Sequence, residues 1–419
     1  MIRQLLPVLL NQSSAVILGL VGVKLISQYV PKETNGDYVL FVTLTQLGCL
    51  VTHPGILSHA MRYWQREAGA ARTYVRFLWD QTIQRLVVLA ILLGIACSIR
   101  AFQEHDLVWL WLLLPFGLLS NFALVLQAIG VGVLTAEKRL WHVLWINLLA
   151  AGARICLPVG IALAVGMTFP ALSFGFAVHG AIVVALVLGW FRFAWGAAPP
   201  SSEIAETWRR ELREYGRPFL WLGVGSWLFL YADRFIVESF FGKSQSGLFG
   251  YAANIGAMIP FLVSGGLMQL VFPRIFRQSD EARSASDWQR IARYCDAATL
   301  AFVLLTVAGL LLFAQVGPFL VGPLIDPKYS VSVAMVLPAG FATAALQINQ
   351  FYGLLLQGRH NSAALVKVTL LISALKTAGS IVAASISWEA FLNWLIVSFL
   401  ASGLVGGLLL RRAARTNPT

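Results

Sequence analysis

The chain has 419 residues, of which 58% are hydrophobic and only 12% are charged. A soluble globular protein carries about 25% charged residues, so this composition excludes both a water-soluble fold and an intrinsically disordered chain. The net charge of +12 would suit a nucleic-acid-binding protein, but the basic residues flank apolar runs along the whole chain, which excludes that class.

Twelve apolar runs are long enough to cross about 30 Å of hydrocarbon. The first run is too long for a cleavable signal peptide and lacks a small-x-small cleavage pattern, so we expect it to remain as a helix. Between the fifth and sixth runs, residues 166–170 leave room only for a tight turn. The sequence predicts an all-α polytopic membrane protein with about 12 transmembrane helices, numbered here as spans 1 to 12: 5–30, 37–61, 83–100, 107–134, 142–166, 169–192, 217–241, 246–274, 296–322, 331–357, 362–386 and 388–411.

The basic residues set the predicted orientation. Most of the 31 lysines and arginines lie near the start of the chain or around the ends of spans 2, 4, 6, 8, 10 and 12. The opposite side holds only Lys32, Arg100, Lys243 and Lys328. By the positive-inside rule, both termini are predicted to be cytoplasmic. The positive charge then faces the anionic lipid of the inner leaflet.

The longest hydrophilic stretch, residues 193–216, divides the spans six and six. Within it, Ile204, Trp208 and Leu212 recur at helical spacing among charged residues, which predicts an amphipathic helix on the inner leaflet. We predict three regions: an N-terminal six-helix bundle (1–192), a cytoplasmic amphipathic linker (193–216) and a C-terminal six-helix bundle (217–419).

The two halves of the chain resemble each other. The segment after span 1 aligns without a gap with the segment after span 7, so that Lys32 matches Lys243 and Gly36 matches Gly247. Both halves have six spans, so the repeats share one orientation and are related by an axis along the membrane normal. Two such bundles, with a substrate site near the midplane, are a common transporter plan.

Several short motifs resemble those of one family: Gly36 with Tyr38, Ala232-Asp233-Arg234-Phe235-Ile236-Val237, Gly247-Leu248-Phe249-Gly250-Tyr251-Ala252-Ala253, Phe272-Pro273-Arg274, Gly322-x-x-x-Asp326-x-x-Tyr329 and Gln357-Gly358-Arg359. The family is that of the polysaccharide transporters, the Wzx-like lipid-linked oligosaccharide flippases of the MOP superfamily. The resemblance extends over the chain in span count and loop lengths. One departure from the pattern of the family is Lys376, because a neutral polar residue would be unremarkable in this region of span 11.

The resemblance implies a flippase that moves an undecaprenyl-pyrophosphate-linked oligosaccharide from the inner to the outer leaflet of a bacterial plasma (inner) membrane by alternating access. It also implies the polysaccharide polymerase and export machinery as candidate partners. The same superfamily contains multidrug and toxic-compound extrusion (MATE) antiporters, which export organic cations, so a MATE-like small-molecule or cation antiporter is the alternative. An integral-membrane polymerase or ligase would need a substantial external loop, and this chain has short ones, so we predict no enzyme.

Six charged residues lie well inside predicted spans, where a charge costs a few kcal/mol by insertion scales unless it has a partner, water or a function. Cations outnumber anions, which favours an anionic substrate, because arginine and lysine bind phosphate whereas organic cations favour acidic or aromatic linings. We therefore predict that the four cations bind the pyrophosphate: Lys24, Arg154, Arg234 and Lys376.

Two of these cations have a structural alternative on their own helix. Lys24 lies about 9 Å inside the external end of span 1 at the helical rise, so its side chain can extend outward to water. Arg234 and Glu238 lie one helical turn apart and can neutralise each other.

The carboxylates of span 7 are the candidates for ion coupling. Asp233 has no charged residue one turn away on its helix, so it either pairs with Lys24, Arg154 or Lys376 or takes part in transport. A gradient of H⁺ or Na⁺ is the default energy source for a secondary transporter, and no G-x-x-x-x-G-K-[ST] nucleotide motif is present. We therefore predict Asp233 and Glu238 as coupling or switch residues.

Other polar groups leave two interpretations open. Asn11, Gln12, Ser13 and Ser14 in span 1, like the amides of span 10, either line a sugar path or bond neighbouring helices. The four cysteines form no C-x-x-C pair, which argues against a disulfide framework and a zinc site. We predict no cofactor and no resident metal.

Overall fold

The structure is a computed structural model that describes residues 2–64, 67, 70–104, 107–137, 139–190, 198–359 and 361–416. Residues 193–197 of the predicted linker lie outside these ranges. Helices make up nearly all of the described chain, and the described residues include no strand. The helices are α1 (Ile2–Tyr29), α2 (Lys32–Tyr63), α3 (Ala71–Glu104), α4 (Val108–Leu112), α5 (Leu118–Ala136), α6 (Leu140–Val165), α7 (Phe169–Trp190), α8 (Ser202–Glu281), α9 (Ala285–Val321), α10 (Val333–Gly358), α11 (Ser362–Ile386), α12 (Trp388–Ser398) and α13 (Gly406–Thr416).

About twelve of these helical segments cross the membrane. Among the described residues, ten segments are long and apolar enough to do so. One of them, Gly216–Ser279, runs for 64 residues and is divided at Gly242, so it provides two crossings. α10, with 26 residues, also exceeds the length needed to cross about 30 Å of hydrocarbon. The predicted all-α polytopic membrane fold is confirmed.

One face of α3 shows how the helices meet lipid. Ile83, Val87, Ile91, Ile95 and Ile99 recur every four residues, and each is at least 53% exposed. A continuous apolar stripe of this kind suits contact with acyl chains, since the helix satisfies its own backbone hydrogen bonds.

Two glycines interrupt the helices with a positive φ that other residues avoid. Gly166 has a φ of 118° and forms the tight turn expected between spans 5 and 6. Gly242 has a φ of 85° and divides α8 after span 7. It aligns with Pro31, which separates α1 from α2, so the two repeats break the chain at the same position.

The chain forms two compact units. Unit 1 comprises Met1–Leu18 and Leu40–Val224, and unit 2 comprises Gly19–Val39 and Gly225–Thr419. The predicted boundaries at residues 192 and 216 follow the two halves of the sequence. The contacts instead divide α1, α2 and α8 between the units.

The predicted amphipathic helix forms the first part of α8, and two of the three residues of its predicted apolar face pack on protein. Trp208 is 3% exposed, and with Leu212 it belongs to the hydrophobic core of unit 1. The centroid of the Trp208 ring lies 5.1 Å from that of Tyr74 and 5.3 Å from that of Phe77. The helix therefore packs on the part of α3 that precedes span 3, and its position on the inner leaflet stays a prediction.

This packing gives a first prediction. Trp208→Ala should lower the free energy of unfolding by about 3 kcal/mol, because truncating a buried aromatic side chain removes its contacts and leaves a cavity. The matched control is Ile204→Ala on the same helix, where a 47% exposed side chain should cost less than about 0.5 kcal/mol. Thermal unfolding of the purified proteins in detergent measures both, and equal losses would contradict the packing of Trp208 on α3.

Within unit 2, the aligned segments of the two repeats contact each other. A Cβ on Gly247 would lie 3.0 Å from the amide nitrogen of Gly36 and against the carbonyl oxygen of Lys32. A Cβ on Gly36 would lie against the carbonyl oxygen of Lys243. Asn35 Nδ2 also donates to the carbonyl of Gly247 at 2.9 Å. The contact is reciprocal, as expected of two elements related by a two-fold axis.

The motif before span 10 anchors the end of α1 in the same unit. Asp326 accepts a hydrogen bond from the backbone N–H of Lys328 at 3.0 Å and so starts a short 3₁₀ turn. Tyr329 is fully buried, donates to the carbonyl of Val30 at 3.2 Å and packs on Tyr251 at 4.7 Å between ring centroids. Burial raises the pKa of Tyr329 above its usual range, so the hydroxyl remains a donor.

Candidate functional site

Unit 2 contains a buried ion pair between two of the predicted site residues. Lys376 of α11 is fully buried and Asp233 of α8 is 4% exposed. Lys376 Nζ donates to Asp233 Oδ2. It also donates to the carbonyl oxygen of Phe229 at 2.9 Å and lies 5.4 Å from the centroid of the Phe229 ring. Of the three cations proposed as partners for Asp233, the structure brings Lys376 to it.

Hydrogen bonds at this ion pair connect three helices, α8, α11 and α12. Trp394 Nε1 of α12 donates to the carbonyl of Lys376 at 3.0 Å, which fixes the backbone from which the lysine extends.

Asp233 Oδ1 is buried and has no hydrogen-bond partner among the described residues. A buried pair is strongly favourable only when its geometry and remaining hydrogen bonds are good. The second carboxylate oxygen is therefore the unsatisfied part of this site.

The other predicted site charges of unit 2 are Arg234, Glu238 and Lys24. Arg234 is 6% exposed, donates from Nη2 to Asn254 Oδ1 at 2.9 Å and lies over the Tyr231 ring at 5.1 Å. Glu238 is half-buried one turn further along α8, and Lys24 of α1 is also half-buried. No ion pair between described residues includes Lys24.

Unit 1 contains a polar cavity of about 210 Å³ in which Arg154 lies. Gln127 Nε2 donates to Asn147 Oδ1 at 3.3 Å, and Asn147 Nδ2 donates to Asn11 Oδ1 at 3.2 Å. These amides form a chain across α5, α6 and α1. The polar part of the lining consists of Asn11, Ser14, Gln127, Asn147, Arg154 and His179.

Arg154 carries the net charge of this cavity. Its guanidinium carbon lies 5.7 Å from the centroid of the Phe176 ring, and its side chain is exposed within the cavity. His179 lines the same cavity, is 1% exposed, and has an Nδ1 without a hydrogen-bond partner among the described residues. No carboxylate lines the described cavity, so it presents one cation and several neutral hydrogen-bonding groups.

Sequence reasoning found some of these groups and missed others. Asn11 and Ser14 of span 1 line the cavity, whereas Asn349 of span 10 donates to the carbonyl of Ser402 at 3.4 Å and so bonds two helices. His179 was missed, although a lone polar residue in an otherwise apolar span is the signal that would have identified it.

The long apolar helices define an integral membrane protein, and its fold is that of MATE transporters of the MOP superfamily. Within that class the chain belongs to the family of polysaccharide biosynthesis proteins, whose sequence profile matches residues 3–279. It is a multi-pass membrane protein. In sequence, no curated protein matches it.

Solved structures share the fold at low sequence identity. An inward-facing multidrug resistance MATE family transporter of the MOP superfamily is 12% identical and aligns over 98% of this chain and 100% of its own, with a TM-score of 0.68. MATE in complex with MaD5 is 13% identical over 98% and 94%, with a TM-score of 0.65. A MOP superfamily transporter from Pyrococcus furiosus, described as having a binding pocket of reverse polarity, is 13% identical over 99% and 95%, with a TM-score of 0.62.

Proposed function

We propose that the chain flips an undecaprenyl-pyrophosphate-linked oligosaccharide from the inner to the outer leaflet of a bacterial inner membrane, with both termini in the cytoplasm. It does so by alternating access, as a transporter rather than an enzyme. The observation that carries the proposal is Arg154, a cation exposed in a cavity of unit 1 whose described lining has no carboxylate. A guanidinium without a protein counter-ion is suited to a phosphate group, which it can bind through two parallel hydrogen bonds.

The neutral part of the lining suits the sugar. Amide groups donate and accept hydrogen bonds at once, as the hydroxyls of a pyranose require. The chain of Asn11, Asn147 and Gln127 leaves further amide atoms facing the cavity beside Arg154. One cationic group next to several amides is complementary to a glycan joined to a phosphate.

The same lining argues against export of organic cations. A site for a cation is favoured by carboxylates or by open aromatic faces. Here the Phe176 ring already lies beside the guanidinium of Arg154, and the described lining supplies no acid. The MATE-like antiporter is therefore the less favoured function, although the fold is shared.

We propose different roles for the remaining predicted cations, Lys24, Arg234 and Lys376. Lys24 is half-buried, so we expect a smaller contribution from it. Arg234 has to leave Asn254, and Lys376 has to leave Asp233, before either reaches a phosphate. Competition between phosphate and Asp233 for Lys376 would bias one access state over the other, and a gradient of H⁺ or Na⁺ acting on Asp233 or Glu238 would add to that bias.

A binding experiment tests the anion site directly. Purified protein in detergent should bind farnesyl pyrophosphate, and Arg154→Gln should weaken that binding roughly tenfold because a charge-assisted bidentate contact is lost. Arg154→Lys should fall between the two, since it keeps the charge but not the paired geometry. Arg209→Gln, which changes an exposed cytoplasmic arginine of α8, is the matched control and should bind like the wild type.

A cellular experiment tests the transported molecule. Deletion of the protein should cause a lipid-linked glycan to accumulate on the inner leaflet, before the polymerase and export machinery act. If no such lipid accumulates and resistance to cationic dyes falls instead, the chain is an antiporter.

A further inference from the structure

The buried pair of unit 2 bears on which cation Asp233 accepts. A carboxylate that is 4% exposed inside a membrane helix needs a counter-charge or a proton. In many sites of this kind the counter-charge is a mobile ion. Here it is Lys376, which is attached to α11 and fully buried.

The surroundings of the ammonium are those of a site for a hard cation. Asp233 supplies a charged oxygen, and Phe229 supplies a backbone carbonyl at 2.9 Å. Two fully buried serines lie one turn to either side of Lys376 on α11: Ser373, whose Oγ donates to the carbonyl of Thr369 at 2.7 Å, and Ser380. Ser380 Oγ and Asp233 Oδ1 have no hydrogen-bond partner among the described residues. Carboxylate, carbonyl and hydroxyl oxygens are the ligands that small hard cations prefer.

We infer that Lys376 occupies a latent monovalent-cation site at Asp233: its ammonium takes the place of a sodium ion, so the wild-type protein binds no Na⁺ there, and removal of the lysine opens the site to Na⁺. This inference deepens the coupling part of the proposed function, because it removes Na⁺ binding at Asp233 as a coupling step. It leaves movement of the ion pair itself as the response of that site to substrate.

The backbone from which the lysine extends is held in place. The carbonyl of Lys376 accepts a hydrogen bond from Trp394 at 3.0 Å, so its backbone is held from the side of α12. Nζ uses two of its three protons on Asp233 and Phe229. The ammonium therefore fills the position between α8 and α11 that a bound ion would need.

The test measures thermal stability, which does not depend on the transported substrate. Proteins purified in detergent at pH 8 are melted in choline chloride and in NaCl of equal concentration. The wild type should melt within about 1 °C in the two salts. Lys376→Ser, which removes the ammonium and leaves room for an ion, should melt lower in choline chloride and gain about 5 °C in NaCl at saturating Na⁺. The double variant Lys376→Ser with Asp233→Asn should lose this gain, because the charged ligand is gone.

Two results would overturn the inference. One is a Na⁺-specific gain in the wild type, which would mean that a sodium site is already open; this measurement also decides the question if Lys376→Ser does not fold. The other is a Lys376→Ser protein whose stability rises with falling pH but not with Na⁺, since Asp233 would then take up a proton alone. Both results are distinct from a failure of the flippase proposal, which rests on pyrophosphate binding at Arg154.

Discussion

Asp233→Asn should destabilise the protein by about 3 kcal/mol, and adding Lys376→Met should restore most of that stability without restoring transport. The single substitution leaves the fully buried Lys376 ammonium without a charged partner, and breaking a buried ion pair in this way typically costs about 3–5 kcal/mol. In the double variant neither residue is charged, and replacing a buried pair by neutral groups of similar volume is often close to neutral.

The double variant separates a structural pair from a switch. If the pair serves only to hold α8 against α11, a stable double variant should flip its substrate at close to the wild-type rate. If the pair opens and closes during transport, flipping should be lost although the protein melts like the wild type. Thermal unfolding in detergent and a flipping assay in proteoliposomes, made on the same preparations, give the two readings. Full activity in the stable double variant would rule out the switch.

The fold of this chain could largely be predicted from its sequence, because a lipid bilayer permits few backbone structures. Backbone groups in hydrocarbon must bond within the segment, so long apolar runs can only be helices. The tight turn at Gly166 and the break at Gly242 also follow from local chemistry, since each glycine adopts a positive φ. The division of α1, α2 and α8 between the two units could not be predicted, because apolar periodicity does not determine which neighbour a helix packs against.

The sequence predicted the residue types of the site but only some of their contacts. Depth in a span identified Asp233 and Lys376 as residues that need a partner, and it left three cations open for the aspartate. Lys376 is the partner because α11 packs against α8. The same packing brings the carbonyl of Phe229 to the ammonium, and no sequence pattern predicts that contact. His179, Gln127 and Asn147 of the unit 1 cavity were missed because a neutral polar residue in a span is a weaker signal than a charged one.

The aligned glycines offer a second test with a large expected effect. Gly247→Ala should lower the free energy of unfolding by about 3 kcal/mol or more, because the new methyl group would press on the backbone of the other repeat at Lys32 and Gly36. Backbone atoms cannot move aside as a flexible side chain can, so α2 and α8 would have to separate. The hydrogen bond from Asn35 Nδ2 to the Gly247 carbonyl, 2.9 Å long, would be strained by the same movement.

The matched control lies further along the same helix. Among the described residues, and apart from its neighbours and the local helix backbone, no atom lies within 4 Å of the position that a Cβ on Gly266 of α8 would take. Gly266→Ala should therefore leave stability unchanged or raise it by about 0.5–1 kcal/mol, because alanine has the higher helix propensity. Because the repeat contact is reciprocal, Gly36→Ala should cost about as much as Gly247→Ala. The double variant should cost less than the two losses added together, since a single separation of the helices relieves both contacts. Thermal unfolding of the wild type and the four variants in one detergent decides the matter. Strict additivity, or a Gly247→Ala protein as stable as Gly266→Ala, would show that the two repeats do not meet at these glycines.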